Sequence, residues 1–393
     1  MALLAMAIRL AIIIAFPQSR DDLRIYTYFG RMIVAGLNPY LPPLDSPIPL
    51  NYANIAPLNL GVFAAALALW DSPTVLRVLF ALADGIIVLT IGYAVQRTRT
   101  WRIAVMDFYT FNTLILIALA VDAQDKVIVL WLTLMVLVSV EAQRASASLV
   151  WTTLLTLYRW LGAFFVLPLT LYFARTWRAL VAMLGFYGLA FAFSHVAWWP
   201  ANLFIYTSRA QRTLINPPIH DSPTMLLAAL GLYTPRLVTI FILATLVVLY
   251  TLFLLRRVTL VEVIVLSSFF TTMASPELPT SRIIMVSIPL LVLLELSRRR
   301  LAALWIVTSI AAPFLFPDLQ ARLLGIFGLP IVIPYGSMPH MLLMNLLPAL
   351  LLVYYFSDKR RGVVARDTLL PQDWLLARPN GQPQPDAPSE SVR

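Results

Sequence analysis

Cysteine is absent from the 393-residue chain, which excludes a disulfide framework and thiol chemistry. Charge is nearly as scarce, at 12% of residues, where a soluble domain carries about a quarter. With 19 acidic residues and three histidines, there is no HExxH and no paired His and carboxylate spacing that would hold zinc. No GxxxxGK[ST] and no GxGxxG occurs either, so an ATP-driven pump or a cytosolic nucleotide-sugar enzyme has no nucleotide loop here. What fills the chain is apolar: 60% hydrophobic residues and a mean hydropathy of +0.82. That composition predicts an all-α polytopic membrane bundle. The net charge of +10 does not point to nucleic acid, because the arginines sit in short clusters between apolar runs, as the positive-inside rule requires.

Spans of about 20 apolar residues cross a bilayer. Candidates are 1–16, 74–96, 103–121, 126–141, 179–198, 235–255, 259–274, 282–296, 301–316 and 340–356, with 55–70 and 149–173 ambiguous. The first sixteen residues lack a basic start and are interrupted by Arg9, so they read as a first helix rather than a cleaved leader. The basic clusters are Arg97, Arg99 and Arg102; Arg144; Arg175 and Arg178; Arg256 and Arg257; Arg298 to Arg300; and Lys359 to Arg361. All fall on one side if 55–70 adds no net crossing and 149–173 is two short passes broken near Arg159. This count predicts about twelve crossings, both termini in the cytoplasm, and outer loops at 17–73, 199–234 and 317–339. Residues 1–356 then form one membrane domain, and the polar, proline-containing 357–393 reads as a disordered cytoplasmic tail.

Within the first outer loop, Ile25, Phe29, Met32 and Ile33 share a helical face, and Asp21 and Asp22 stand where a helix dipole favours negative charge. Gly36 and Pro39 end that helix, which is expected to lie along the membrane interface. A second helix at 55–70 would dip without spanning. Asp122 and Asp125, with Gln124 between them, sit at the outer end of 103–121, on the same side as Asp21 and Asp22. A partly desolvated carboxylate near a second one can serve as a base, whereas an acid ahead of a helix commonly just caps it. Arg159 lies inside an apolar stretch, where an arginine needs a partner: a lipid phosphate, or an aspartate of a neighbouring helix such as Asp84. Asp84 itself reads as hydrogen-bonded inside the bundle. His220 lies in an outer loop near Arg209 and Arg212, and Glu277 lies in a short outer loop with Arg282; both are candidates for ligand contact. His195 and His340 read as structural.

The run DDLRIYTYFGRMIVAGLNPY after a first helix resembles the first external loop of GT-C glycosyltransferases, membrane enzymes that use polyprenyl-phosphate sugars. The resemblance covers roughly residues 1–230, through Asp21 or Asp22, Tyr26, Gly36, Pro39 and Tyr40, then LRVLFALADG around Arg77, Asp125 as the second acidic position, and Arg159 where many relatives have lysine. It implies inverting transfer of a monosaccharide, of the mannosyl, arabinosyl or aminoarabinosyl kind, to a glycolipid, glycan or protein acceptor outside the cytoplasm. In that reading Asp21 or Asp22 is the general base, Asp125 orients or tunes it, and Arg159, Arg209 and Arg212 face the donor phosphate. Tyr26, Tyr40, Asp122, Gln124, His220 and Glu277 line the substrate. No soluble cofactor is required, and a divalent metal is left open. The rival reading is a transporter or flippase of lipid-linked saccharides, which predicts internal repeats or a polar midplane cavity.

Overall fold

The computed structural model describes residues 1–17, 21–41, 46–48, 55–94, 99–199, 201, 223–276, 280–294, 296–315, 320, 324–326, 328, 333–334 and 337–360. Every regular element among them is helical: α1 (Ala2–Ala15), α2 (Asp21–Val34), α3 (Pro57–Leu69), α4 (Pro73–Ala94), α5 (Arg99–Phe111), α6 (Lys126–Glu141), α7 (Ala145–Tyr158), α8 (Ala163–Phe173), α9 (Trp177–His195), α10 (Thr224–Ala229), α11 (Pro235–Leu254), α12 (Leu260–Met273), α13 (Thr280–Leu293), α14 (Arg298–Ala311) and α15 (Met338–Arg360). Four of these, α4, α15, α11 and α9 with its short extension, are long and apolar enough to cross a membrane; a bent pair at 99–121 makes a fifth. Several others are apolar but only 11 to 14 residues long. The chain is therefore a helical bundle of membrane character. Length and hydropathy alone stop short of the twelve crossings that charge counting predicts.

Hydrogen bonds set the direction of the short helices. α1 runs antiparallel to α4: Arg9 Nε donates to Asp84 Oδ2 at 3.0 Å, and Arg77 Nη1 donates to the Phe16 carbonyl at 2.7 Å. Arg9 also donates to the carbonyls of Thr110 and Tyr109, and the Tyr109 hydroxyl donates to Asp84, so a fully buried ion pair stitches α1, α4 and α5. Asp84 thus belongs to Arg9, not to Arg159. α5 ends at Asn112, whose side chain accepts from Leu114 N and Ile115 N and restarts the helix at a 45° bend. A π-helical turn, Leu116–Val121, then delivers residues 122–125 to one end of the bundle.

α6 descends from that end and α7 returns to it, since Arg159, just past α7, reaches back to Asp125, just before α6. α8 descends again: the Tyr172 hydroxyl, at its far end, exchanges hydrogen bonds with Gln143 in the α6–α7 turn at 2.8 and 3.0 Å. The stretch 149–173 is therefore two short antiparallel helices broken at Arg159, as charge counting expected. The opposite end collects the cations. The Phe253 ring, one turn before Arg256 and Arg257, lies 6.5 Å from Tyr172; Lys359 and the Tyr355 hydroxyl bond Glu262; and Arg300 Nη1 pairs with Asp358 Oδ1 at 2.6 Å. Asp358 and Lys359 are still helical, so α15 runs through Arg360, past the boundary expected at 357; the tail beyond it lies outside the described residues.

α2 forms where its pattern puts it. It ends at Gly36, whose φ of +75° lets Leu37 N bond the Met32 carbonyl and Gly36 N bond the Ile33 carbonyl. Its apolar face is not left for lipid: Ile25, Phe29 and Met32 are buried, and Tyr26, on the next row, lies 4.6 Å from Phe63 of α3 and 6.4 Å from Phe80 of α4. The face expected against the membrane interface is spent on protein, because α3 and α4 offer it a dry apolar surface.

The break at Arg159 depends on Gly162. A Cβ there would sit 2.5 Å from Thr156 N and 2.9 Å from the Thr152 carbonyl, both backbone atoms that cannot swing aside. Gly162→Ala is expected to lower stability by about 1–3 kcal/mol, as overpacking does. A detergent-solution thermal melt checks this; an unchanged melting temperature would show that α7 and α8 need no close approach.

Candidate functional site

Asp22, Asp122, Asp125, Lys126 and Arg159 converge on one network at the first end. Asp125 heads α6 yet its side chain makes no cap bond to that helix. Fully buried, its carboxylate accepts from Arg159 Nη2 at 2.7 Å and Asn59 Nδ2 at 2.8 Å on one oxygen. The other oxygen accepts from the Tyr26 hydroxyl at 2.8 Å and faces Lys126 Nζ at 3.0 Å. Partners from α2, α3, α6 and the α7–α8 break therefore meet on a single side chain. Burial by itself would raise this carboxyl, but the adjacent Arg159 and Lys126 cations, with hydrogen bonds from Arg159 and Asn59, hold it well below the usual carboxylate range. Four partners on one buried carboxylate make Asp125 the anchor of this network.

Asp22 and Asp122 are the partly exposed acids of the network. The Asp22 side chain is 37% exposed, one oxygen accepts from Gln124 Nε2 at 2.7 Å, and Lys126 Nζ lies 3.6 Å from the same oxygen. Gln124 Nε2 donates equally to Asp122 Oδ2, so Asp22 and Asp122 straddle a single amide. Lys126 closes the circuit, donating to Gln124 Oε1 at 2.6 Å and to the Tyr26 hydroxyl at 3.2 Å. The loop that arranges this carries Ala123 at φ +52°, a left-handed conformation that costs a non-glycine residue energy and persists only where surroundings impose it. A preceding π turn is itself a feature that recurs at functional sites.

The remaining expected residues divide. The Arg159 side chain is 23% exposed and commits Nη2 to Asp125. The neighbouring-aspartate alternative for Arg159 holds, with Asp125 as the aspartate. Tyr26 is buried and bonded within the network, and burial followed by the Asp125 charge raises its hydroxyl pKa well above the ordinary value; it supports Asp125 and does not line open space. Gln124 is also buried and acts as a bridge. The Tyr40 hydroxyl donates to the Ile55 carbonyl at 2.7 Å, pinning the loop between α2 and α3. Asp21 begins α2, but its side chain, together with Arg209, Arg212, His220 and Glu277, lies outside the described residues. His195 and His340 bond the carbonyls of Phe191 and Phe314, in keeping with structural roles.

Lys126 and Asn59 are the members that sequence reasoning passed over. Lys126 stood next to Asp125 in VDAQDK, and a lysine opening an apolar helix was the available signal; Asn59 gave none beyond being a polar residue on an apolar helix. No group of three or more His, Cys, Asp and Glu side chains placed to hold a metal ion occurs among the described residues. Comparison of the chain with family models and with curated proteins finds no match to either.

Removing the anchor charge has a defined cost. Asp125→Asn leaves Arg159 and Lys126 without their counter-ion and is expected to destabilise the protein by about 3–5 kcal/mol. Because the folded-state pKa of Asp125 lies below the unfolded value of about 3.9, its contribution is fully present above that value and is lost as pH falls below it. Melting temperature against pH checks both: the wild-type acid loss should flatten in the variant, and parallel curves would mean that Asp125 carries no such linkage.

Proposed function

We propose that the chain is an integral membrane glycosyltransferase that moves a monosaccharide from a polyprenyl-phosphate donor to an extracytoplasmic acceptor with inversion. The observation that carries this reading is the pairing, at one end of the bundle, of a partly exposed carboxylate, Asp22, with a partly exposed arginine side chain, Arg159, joined through Lys126 and Asp125. Such a pair meets the two electrical demands of the reaction. The acceptor hydroxyl oxygen attacks the anomeric carbon while Asp22 takes its proton. The bond from that carbon to the phosphate oxygen breaks, the electron pair leaves with the phosphate, and the Arg159 cation stabilises the charge that develops there. Asp125 and Lys126 do not touch the reacting atoms; they hold Arg159 and Asp22 in register.

The described arginine clusters collect at the end away from Asp22, which under the positive-inside rule supports a cytoplasmic assignment for that end and an outer face for Asp22. This supports about twelve crossings, both termini cytoplasmic, with a GT-C-like arrangement. The lipid tail of the donor keeps its phosphate at the membrane boundary, where Arg159 sits under this topology. Flippase or transporter chemistry gains no support from Asp84, whose carboxylate is locked to Arg9 and Tyr109.

The test is transfer in detergent from radiolabelled polyprenyl-phosphate mannose, and from the arabinose and aminoarabinose equivalents, to host membrane lipids. Asp22→Asn is expected to cut kcat by about 10²–10⁴-fold, the usual worth of a general base, with an unchanged melting temperature. Asp21→Asn should retain most activity. Absence of transfer from every donor, or full activity in the Asp22 variant, would reject the reading.

A further inference from the structure

The network depends on two separate approaches of the chain: one leaves α1 for α2 and Asp22, the other leaves the π turn for residues 122–125. Both meet on a side chain that lies outside the network. Arg77, one turn into α4, is 4% exposed. Its Nη1 donates to the carbonyls of Phe16, at 2.7 Å, and Ile13, at 3.3 Å, in the closing turn of α1. Its Nη2 donates to the carbonyl of Ala120, at 3.3 Å, in the closing turn of the π segment. These carbonyls belong to helix C-termini, which lack intrahelical donors and carry partial negative charge.

Among the described residues the guanidinium meets only carbonyl oxygens, so its charge is spent on two chain ends rather than on an acid. One of these ends lies two residues before Asp122, and the other is the stretch from which the chain enters α2. Arginine presents donors from separate nitrogens in a fixed fork, whereas the three donors of a lysine radiate from one atom. A cation needed only to balance charge would lie against a carboxylate, as Arg9 does against Asp84.

We infer that Arg77 is a positioning residue of the site, setting the separation between Asp22 and the Asp122–Lys126 segment by fastening the last turn before each. The inference rests on reading that network as the functional site, but its test does not depend on turnover. The cysteine-free chain allows D22C and D122C to be introduced as the only thiols, at two partly exposed positions that share Gln124. The rate at which a short bismaleimide bridges them is then measured, below the melting temperature, with Arg77 intact and in R77M, R77K and R9M backgrounds.

R77M and R77K are each expected to slow bridging by about tenfold, the scale set by losing hydrogen bonds to a charged group. R9M, which loses a buried arginine of the same α1–α4 seam, should bridge at the parent rate. Parent-rate bridging in R77M, full rescue by R77K, or equal slowing in R9M would each overturn the inference. So would failure of both Arg77 variants to fold, because Arg77 would then hold the whole bundle and not the site. Absence of glycosyl transfer in the wild type would reject the proposed function and leave the bridging result standing.

Discussion

One buried carboxylate organises this end of the molecule. Asp125 has no access to solvent, and an isolated charge there would be driven to neutrality. It remains an anion because two cations and two neutral donors surround it, each brought by a different part of the chain. The dependence is mutual. Arg159 can sit between two apolar helices only because Asp125 compensates it, and Lys126 can open an apolar helix only because Asp125 and Asp22 face it. A buried ion cluster of this kind contributes little net stability, since desolvation offsets the attraction, but it severely penalises any arrangement in which one partner is missing. Its consequence is geometric: α2, α3, α6 and the α7–α8 break are fixed relative to one another.

The same logic explains the many short helices. A helix of eleven to sixteen residues is too short to cross a bilayer comfortably, and it ends with backbone groups that need partners. The bundle supplies them from side chains. Arg77 takes carbonyls from α1 and the π turn, Asn112 takes two amides after α5, and Arg9 takes carbonyls where α5 closes. Broken helices thereby bring polar chain segments to one end of an apolar body, while the arginine clusters at residues 256–257 and 298–300 lie at the other end.

Much of the architecture was legible in the residues. Amphipathic spacing and Gly36 mark α2; the break at Arg159 follows from the sign and spacing of arginine clusters; and the shared side of Asp22 and Asp125 follows from the same count. The partners were not legible. Arg159 could have met Asp84 as well as Asp125, because both are single acids in apolar surroundings, and only the antiparallel return of α7 decides between them. The resemblance implied Tyr26 as a substrate contact; in the structure it is buried against Phe63 and bonded to Asp125. Asn59 and Lys126 carry no pattern that separates them from ordinary polar residues near helix ends.

What the sequence by itself determined is the solvent: composition demands an apolar, helical, membrane-type bundle, because transfer of charge into an apolar medium is costly wherever it occurs. What only the tertiary structure decided is which carboxylate is free. Asp22 and Asp125 are the same chemical group at similar positions ahead of helices. One is partly exposed and held by an amide; the other is sealed among Arg159, Lys126, Asn59 and Tyr26. Apart from Lys126, those partners lie roughly 35 to 100 residues distant in the chain, and local spacing does not encode them.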